Sequence, residues 1–161
     1  MTRLSVLHVG RGLIDAAEVV SLDSGRPLLE FGGYLVAALA PYPPVQIVLT
    51  TSWLQTLGAE KTEAFLPPEL RRRVVGNTLS VVPRLSEFRN GSDRTWVIIR
   101  HARGMKISNW LAIDDSAHGV PDGYQQHFLR TDSQAALGAS EIRRQLGAWL
   151  ASHADAQGAK C

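Results

Sequence analysis

Three short apolar runs stand out along the chain: Leu4 to Val9, Val45 to Thr50 and Trp110 to Ile113. Each is compact and rich in branched side chains, and each ends at a polar cluster, the pattern of a strand buried on both faces. His127 to Arg130 is a fourth candidate. Between these runs lie stretches with helical spacing, clearest where Ile142, Leu146, Trp149 and Leu150 recur at i, i+4, i+7 and i+8 behind Ser140, a suitable N-cap. The alternation of strand and helix predicts an α/β domain with a parallel sheet covered on both faces. Sheets of that kind bind ligands beyond the carboxyl ends of their strands.

Turn signals punctuate this pattern. Val19-Val20-Ser21-Leu22 and Pro27-Leu28-Leu29-Glu30 flank Asp23-Ser24-Gly25-Arg26, which predicts a small hairpin inserted after the first strand. Ala40-Pro41-Tyr42-Pro43-Pro44 stops a helix and hands the chain to the second strand, because proline cannot continue a helix. Leu66-Pro67-Pro68-Glu69 restarts one in the same way. The stretch Arg94 to Arg103 contains Trp96-Val97-Ile98-Ile99, which alone also fits a strand. Ser92 or Asp93 as N-cap, with Ile98, Ala102 and Met105 at helical steps, favours a helix. Beyond Leu150 the chain is small and polar, so residues 151–161 are expected as a flexible tail to a single domain over residues 1–150.

Composition narrows the function classes. With 161 residues and 45% hydrophobic content, the chain supports one sizeable core. Its 14 arginines and 3 lysines stand against 15 acidic residues, for a net charge of +2, a balance that gives nucleic-acid binding no support. The clearest basic cluster, Arg71-Arg72-Arg73, reads as a solvated helix end. Cys161 is the only cysteine, so neither an internal disulfide nor a cysteine-based metal site is available, which fits a reducing cytoplasm. No apolar run approaches the roughly 18 residues of a membrane span. The expectation is a soluble, cytoplasmic protein that does not engage a membrane.

Two words carry candidate chemistry. In Ile47-Val48-Leu49-Thr50-Thr51-Ser52-Trp53, a buried strand delivers hydroxyls to its carboxyl end just where a helix begins. Hydroxyls and the free N–H groups of a helix start together form an anion site, although Thr51 or Ser52 equally serves as an ordinary helix cap. In Asn109-Trp110-Leu111-Ala112-Ile113-Asp114-Asp115-Ser116, another apolar strand ends in paired carboxylates, a pairing that holds a divalent cation or anchors a loop.

Taken in order, these words resemble the haloacid-dehalogenase-like (HAD-like) superfamily, in particular the small bacterial HAD-domain proteins of the Swiss-Army-knife RNA-repair type. The resemblance runs from about Leu4 to Leu150 and implies a three-layer Rossmannoid α/β fold. In that family a first strand ends in Asp-x-Asp-Gly, a second in Thr/Ser-Ser-Trp, a basic residue begins a later helix, and a fourth strand ends in Asp-Asp. Thr51-Ser52-Trp53 resembles the second motif, Arg94 in Arg94-Thr95-Trp96-Val97-Ile98 the third, and Asp114-Asp115 the fourth. Leu66-Pro67-Pro68-Glu69-Leu70, Val74-Val75-Gly76-Asn77-Thr78 and Leu129-Arg130-Thr131-Asp132 resemble the family's connecting segments.

The first motif departs from the pattern. Leu7-His8-Val9-Gly10-Arg11-Gly12-Leu13 puts His8 at the position of the family's nucleophile and Gly10 at that of its general acid/base. In the family the first aspartate attacks phosphorus, the second shuttles the leaving-group proton, and both help hold magnesium. Loss of a nucleophile costs on the order of 10⁶ in rate by analogy with other enzymes, and glycine cannot transfer a proton. With only Asp114 and Asp115 remaining beside an imidazole, magnesium should bind weakly.

The resemblance therefore implies a degenerate, non-catalytic domain with no resident cofactor. Thr51, Ser52 and Arg94 are its candidate ligand-binding residues, and a phosphate-bearing small molecule or a protein its candidate partner. The alternative is a phosphohydrolase with residual magnesium, or with zinc held by His8, Asp114, Asp115 and His118. If the resemblance holds, His8, Thr51 and Asp114 gather at one sheet edge. Arg94, starting a helix, should then face Asp114 or Asp115.

Overall fold

The computed structural model describes residues 3–6, 12–14, 19–21, 32–50, 53–114, 118–130 and 140–158. Strand β1 (Arg3–Val6) is followed by β2 (Gly12–Ile14) and β3 (Val19–Ser21), and later by β4 (Gln46–Leu49), β5 (Val74–Asn77), β6 (Ala112–Asp114) and β7 (Phe128–Arg130). Five of them form one sheet in the order β5-β4-β1-β6-β7, with every neighbouring pair parallel. The three strands expected to be neighbours are neighbours, with β1 in the middle: Leu4 pairs with Ile47, and Val6 with Ile113. This is an α/β fold.

An antiparallel pair follows β1, but it joins other segments than the hairpin expected from the turn signal. Val19–Ser21 pairs antiparallel with Gly12–Ile14, upstream of it, with Leu13 opposite Val20. The expected second arm, Pro27 to Glu30, lies outside the described residues. β6 begins at Ala112 instead of Trp110, and β5 was not anticipated as a strand.

The helices are α1 (Gly32–Leu39), α2 (Trp53–Leu57), α3 (Ala59–Ala64), α4 (Pro68–Arg71), α5 (Leu85–Asn90), α6 (Asp93–Gly104) and α7 (Ser140–Gly158), with a 3-10 helix at Asp122–His127. α1 ends just ahead of the Pro41-Tyr42-Pro43-Pro44 stop, and α4 starts with Pro68 in its first turn, where a missing N–H costs nothing. α7 continues past Leu150, the last of its regularly spaced apolar residues, to Gly158. Among the described residues no helix is long and apolar enough to cross a membrane.

Two clusters of buried side chains hold the elements together. Leu35 and Leu39 of α1, Ile47 and Leu49 of β4, and Leu146 and Leu150 of α7 meet Leu111 and Ile113 in one. Ile98, Ile99 and Ala102 of α6 meet Trp110 and Ala112 in the other. Successive residues of a strand point to opposite faces, so the split between Ala112 and Ile113 means that β6 is packed from both sides. The indole of Trp110 is stacked on the His127 ring at a centroid distance of 4.4 Å and meets Phe128 edge-on at 5.5 Å.

The basic cluster is a pair of carbonyl caps. Arg73 donates from Nη1 to the carbonyls of Tyr42, Pro43 and Val45 and from Nη2 to that of Leu39, tying the end of α1 to the start of β4. Burial, and then the neighbouring Arg72, pulls its pKa below the ordinary arginine value. Arg71 bonds the carbonyls of Glu63, Ala64 and Leu66 at the end of α3. Both guanidinium groups serve helix ends, where carbonyls lack intrahelical partners.

Candidate functional site

Because the central strands are parallel, the carboxyl ends of β4, β1 and β6 share one edge of the sheet. Asp114 is the last residue of β6 and only 1% exposed. A carboxylate that deep requires a partner. Arg94, the second residue of α6, supplies one: its Nη1 lies 3.4 Å from Asp114 Oδ2, with the arginine side chain 19% exposed. The expected meeting of Arg94 with Asp114 is thus observed.

Local sequence fixes where α6 begins. Gly91 closes α5 in the left-handed region, at φ 73°, a conformation natural to glycine. Ser92 then occupies the N-cap of α6, and Asp93 places a carboxylate in its first turn, favourably against the helix dipole. Glu87 locks the two helices together. It accepts the Arg84 backbone N–H at 2.7 Å as a capping-box partner and binds the Arg100 guanidinium through both oxygens. The hydrogen bonds from Arg100, assisted by that from Arg84, hold the Glu87 carboxyl below the usual glutamate range against the opposing effect of burial.

The segment after Asp114 is tied to the same helix start. Thr95, fully buried, donates its hydroxyl to the His118 carbonyl at 2.7 Å. Gly119 sits at φ 64°, and a Cβ there would come within 3.3 Å of Ser92 Cβ, so two independent constraints favour glycine. The His118 side chain is exposed.

On the other side of Arg94, Thr50 and Thr78 leave the ends of β4 and β5, both buried, and their hydroxyls are 3.3 Å apart. These hydroxyls, Asp93 and Arg94 are among the residues that line a cleft of about 440 Å³. Thr50 belongs to a hydroxyl-rich word visible in the sequence. Thr78 was not singled out as a site residue; the signal that could have found it is a hydroxyl directly after a short β-branched run.

Arg94 and Asp114 are therefore brought together, and His118 is held nearby through its backbone. His8, Gly10, Thr51, Ser52 and Asp115 lie outside the described residues. Among the described residues no three histidine, cysteine, aspartate or glutamate side chains converge. Of the residues that the resemblance gives to a metal site, Asp114 is described, and the Arg94 guanidinium faces its Oδ2.

Comparison with curated proteins yields no match, and neither does comparison with solved structures. One family model does match, over residues 19–142, a span that contains Thr51, Ser52, Arg94, Asp114 and Asp115 and begins after His8 and Gly10. By that match, which covers most of its length, the chain belongs to the family of HAD domains in Swiss Army Knife RNA repair proteins.

Proposed function

We propose that this chain is a three-layer Rossmannoid HAD domain that has lost phosphoryl-transfer chemistry and keeps an anion site at the carboxyl edge of its sheet. Support for the layering comes from β6, whose alternate residues join two separate clusters. Support for the lost chemistry comes from the sequence, where His8 and Gly10 stand at the positions that the resemblance gives to the two aspartates. Histidine in place of the carboxylate removes the aspartyl-phosphate step, and glycine has no proton to give.

The observation that carries the reading is the Arg94–Asp114 pair at 3.4 Å. In this reading a phosphate competes with Asp114 for the guanidinium, with Thr51 and Ser52 as further donors. Phosphate offers Arg94 a doubly charged, multidentate partner that competes with the Asp114 carboxylate. The proposed ligand is a phosphate-bearing molecule, and no cofactor is required.

The test has two arms. The purified protein should release no phosphate from p-nitrophenyl phosphate above a buffer blank, with or without magnesium, while binding inorganic phosphate in a titration that Arg94→Ala abolishes. His8→Asp with Gly10→Asp and Arg11→Gly should restore magnesium-dependent turnover, and either aspartate alone should not. Magnesium-dependent turnover by the unmodified chain, lost in Asp114→Asn, overturns the reading. Zinc-dependent turnover lost in His8→Ala overturns it in favour of a rebuilt metal site.

A further inference from the structure

The cleft at Arg94 is also lined by apolar side chains that the anion site does not use. Beyond Thr50, Thr78 and Arg94 its wall is formed by side chains that include Val82, Phe88 and Val97. Val82 is 78% exposed and Phe88 57%, and Leu85 between them in sequence is 67% exposed.

This exposure is fixed by the frame beneath it. The Arg84–Glu87 capping box and the two-point Glu87–Arg100 contact clamp α5 to α6, so the same short segment that is anchored through a buried glutamate turns its large apolar side chains outward. Apolar groups held in water beside a polar pocket gain free energy when a ligand covers them. At about 440 Å³ the cleft is of small-molecule size, within the roughly 300–1,000 Å³ common for such sites. Its mixed lining selects the ligand: a guanidinium, two hydroxyls and the Asp93 carboxylate share the cleft with aliphatic and aromatic surface.

We propose that the cleft binds a small phosphomonoester with an aromatic or similarly flat apolar body, its phosphate toward Arg94 and its body across Val82 and Phe88. The inference rests on the anion site of the preceding section and adds the class of group that the phosphate carries.

Titration with 1-naphthyl phosphate, 1-naphthol and inorganic phosphate tests it. Burial of the aryl surface should make 1-naphthyl phosphate bind about tenfold or more tightly than inorganic phosphate. Val82→Ser and Phe88→Ala, both at exposed positions, should erase that preference and leave inorganic phosphate binding unchanged. Arg94→Ala should weaken both phosphates. Equal affinities for the two phosphates overturn the apolar subsite and leave the anion site standing. Binding of 1-naphthol as tightly as its phosphate overturns the pairing of polar and apolar lining and removes the anion site. If neither phosphate binds, both readings fall. A concentration-dependent dimer that Val82→Asp dissolves assigns this face to a second copy of the chain and overturns the inference.

Discussion

Arg94 Nη1 and Asp114 Oδ2 face each other across 3.4 Å, joining the first turn of α6 to the last residue of β6. The aspartate is buried and the arginine partly exposed, so Asp114→Asn removes a charge that the fold has already desolvated. A fully buried pair costs several kcal/mol to break, and solvent access at Arg94 reduces the expected loss of stability to about 1–3 kcal/mol. The same change removes one anionic competitor from beside the guanidinium. Inorganic phosphate affinity should rise roughly two- to fivefold, the size of one partly screened charge pair. Calorimetric titration beside a urea melt reads both effects, and a loss of phosphate binding in the variant would contradict the competition.

Glu87 makes stability depend on acid. Its folded pKa is held below the ordinary value of 4.5, chiefly by the hydrogen bonds from Arg100. A depressed carboxyl stabilises the fold at pH values above the ordinary range, and that contribution disappears as pH falls through the lowered folded value. Glu87→Gln should therefore melt below the parent protein at pH 7, and the gap should close at the acid end of a pH series. A gap that stays constant with pH excludes an ionised Glu87 as its source.

Arg73 is expected to resist conservative replacement. One guanidinium serves the carbonyls of Leu39, Tyr42, Pro43 and Val45 through two nitrogens, a planar fork that an ammonium cannot reproduce. Arg73→Lys should cost about 1–3 kcal/mol in a chemical melt, the usual penalty for leaving partly buried acceptors unpaired. A lysine variant as stable as the parent would mean that water replaces the fork.

Trp110 should be the most sensitive single position outside the candidate site. It is 3% exposed, stacks on His127 and meets Phe128 edge-on. Its carbonyl lies 2.9 Å from His127 Nδ1, which must carry the proton for this bond. Trp110→Ala should destabilise the protein by about 3–5 kcal/mol and remove most of its near-ultraviolet dichroism.

The strands that could be read from the chain are those whose burial makes them uniformly apolar. β4, with Ile47, Val48 and Leu49 all buried, is the clearest example. β5 escaped because it lies at the sheet edge, where Val75 is 49% exposed and Gly76 and Asn77 dilute the pattern. The start of α6 was legible because its N-cap signals are local. The Arg94–Asp114 contact followed from motif order, since neither residue's spacing contains it. The cleft was not legible at all: Val82 and Phe88 are ordinary apolar residues in sequence, and only the clamp between Glu87 and Arg100 makes their outward display a feature. Its hydroxyl pair likewise joins Thr50 to Thr78 through the adjacency of β4 and β5, a tertiary fact.

The position of β1 at the centre of the sheet sets a timetable for synthesis. Its backbone is completed only when Gln46–Leu49 arrives on one side and Ala112–Asp114 on the other. A ribosome adding residues in order must therefore hold the first strand with one ladder open, the side that β6 later fills, until most of the chain has emerged. Pairings this distant in sequence form slowly, and unpaired strand edges invite association with other chains. The nascent protein should depend most on chaperones in the interval before residue 114 clears the exit tunnel.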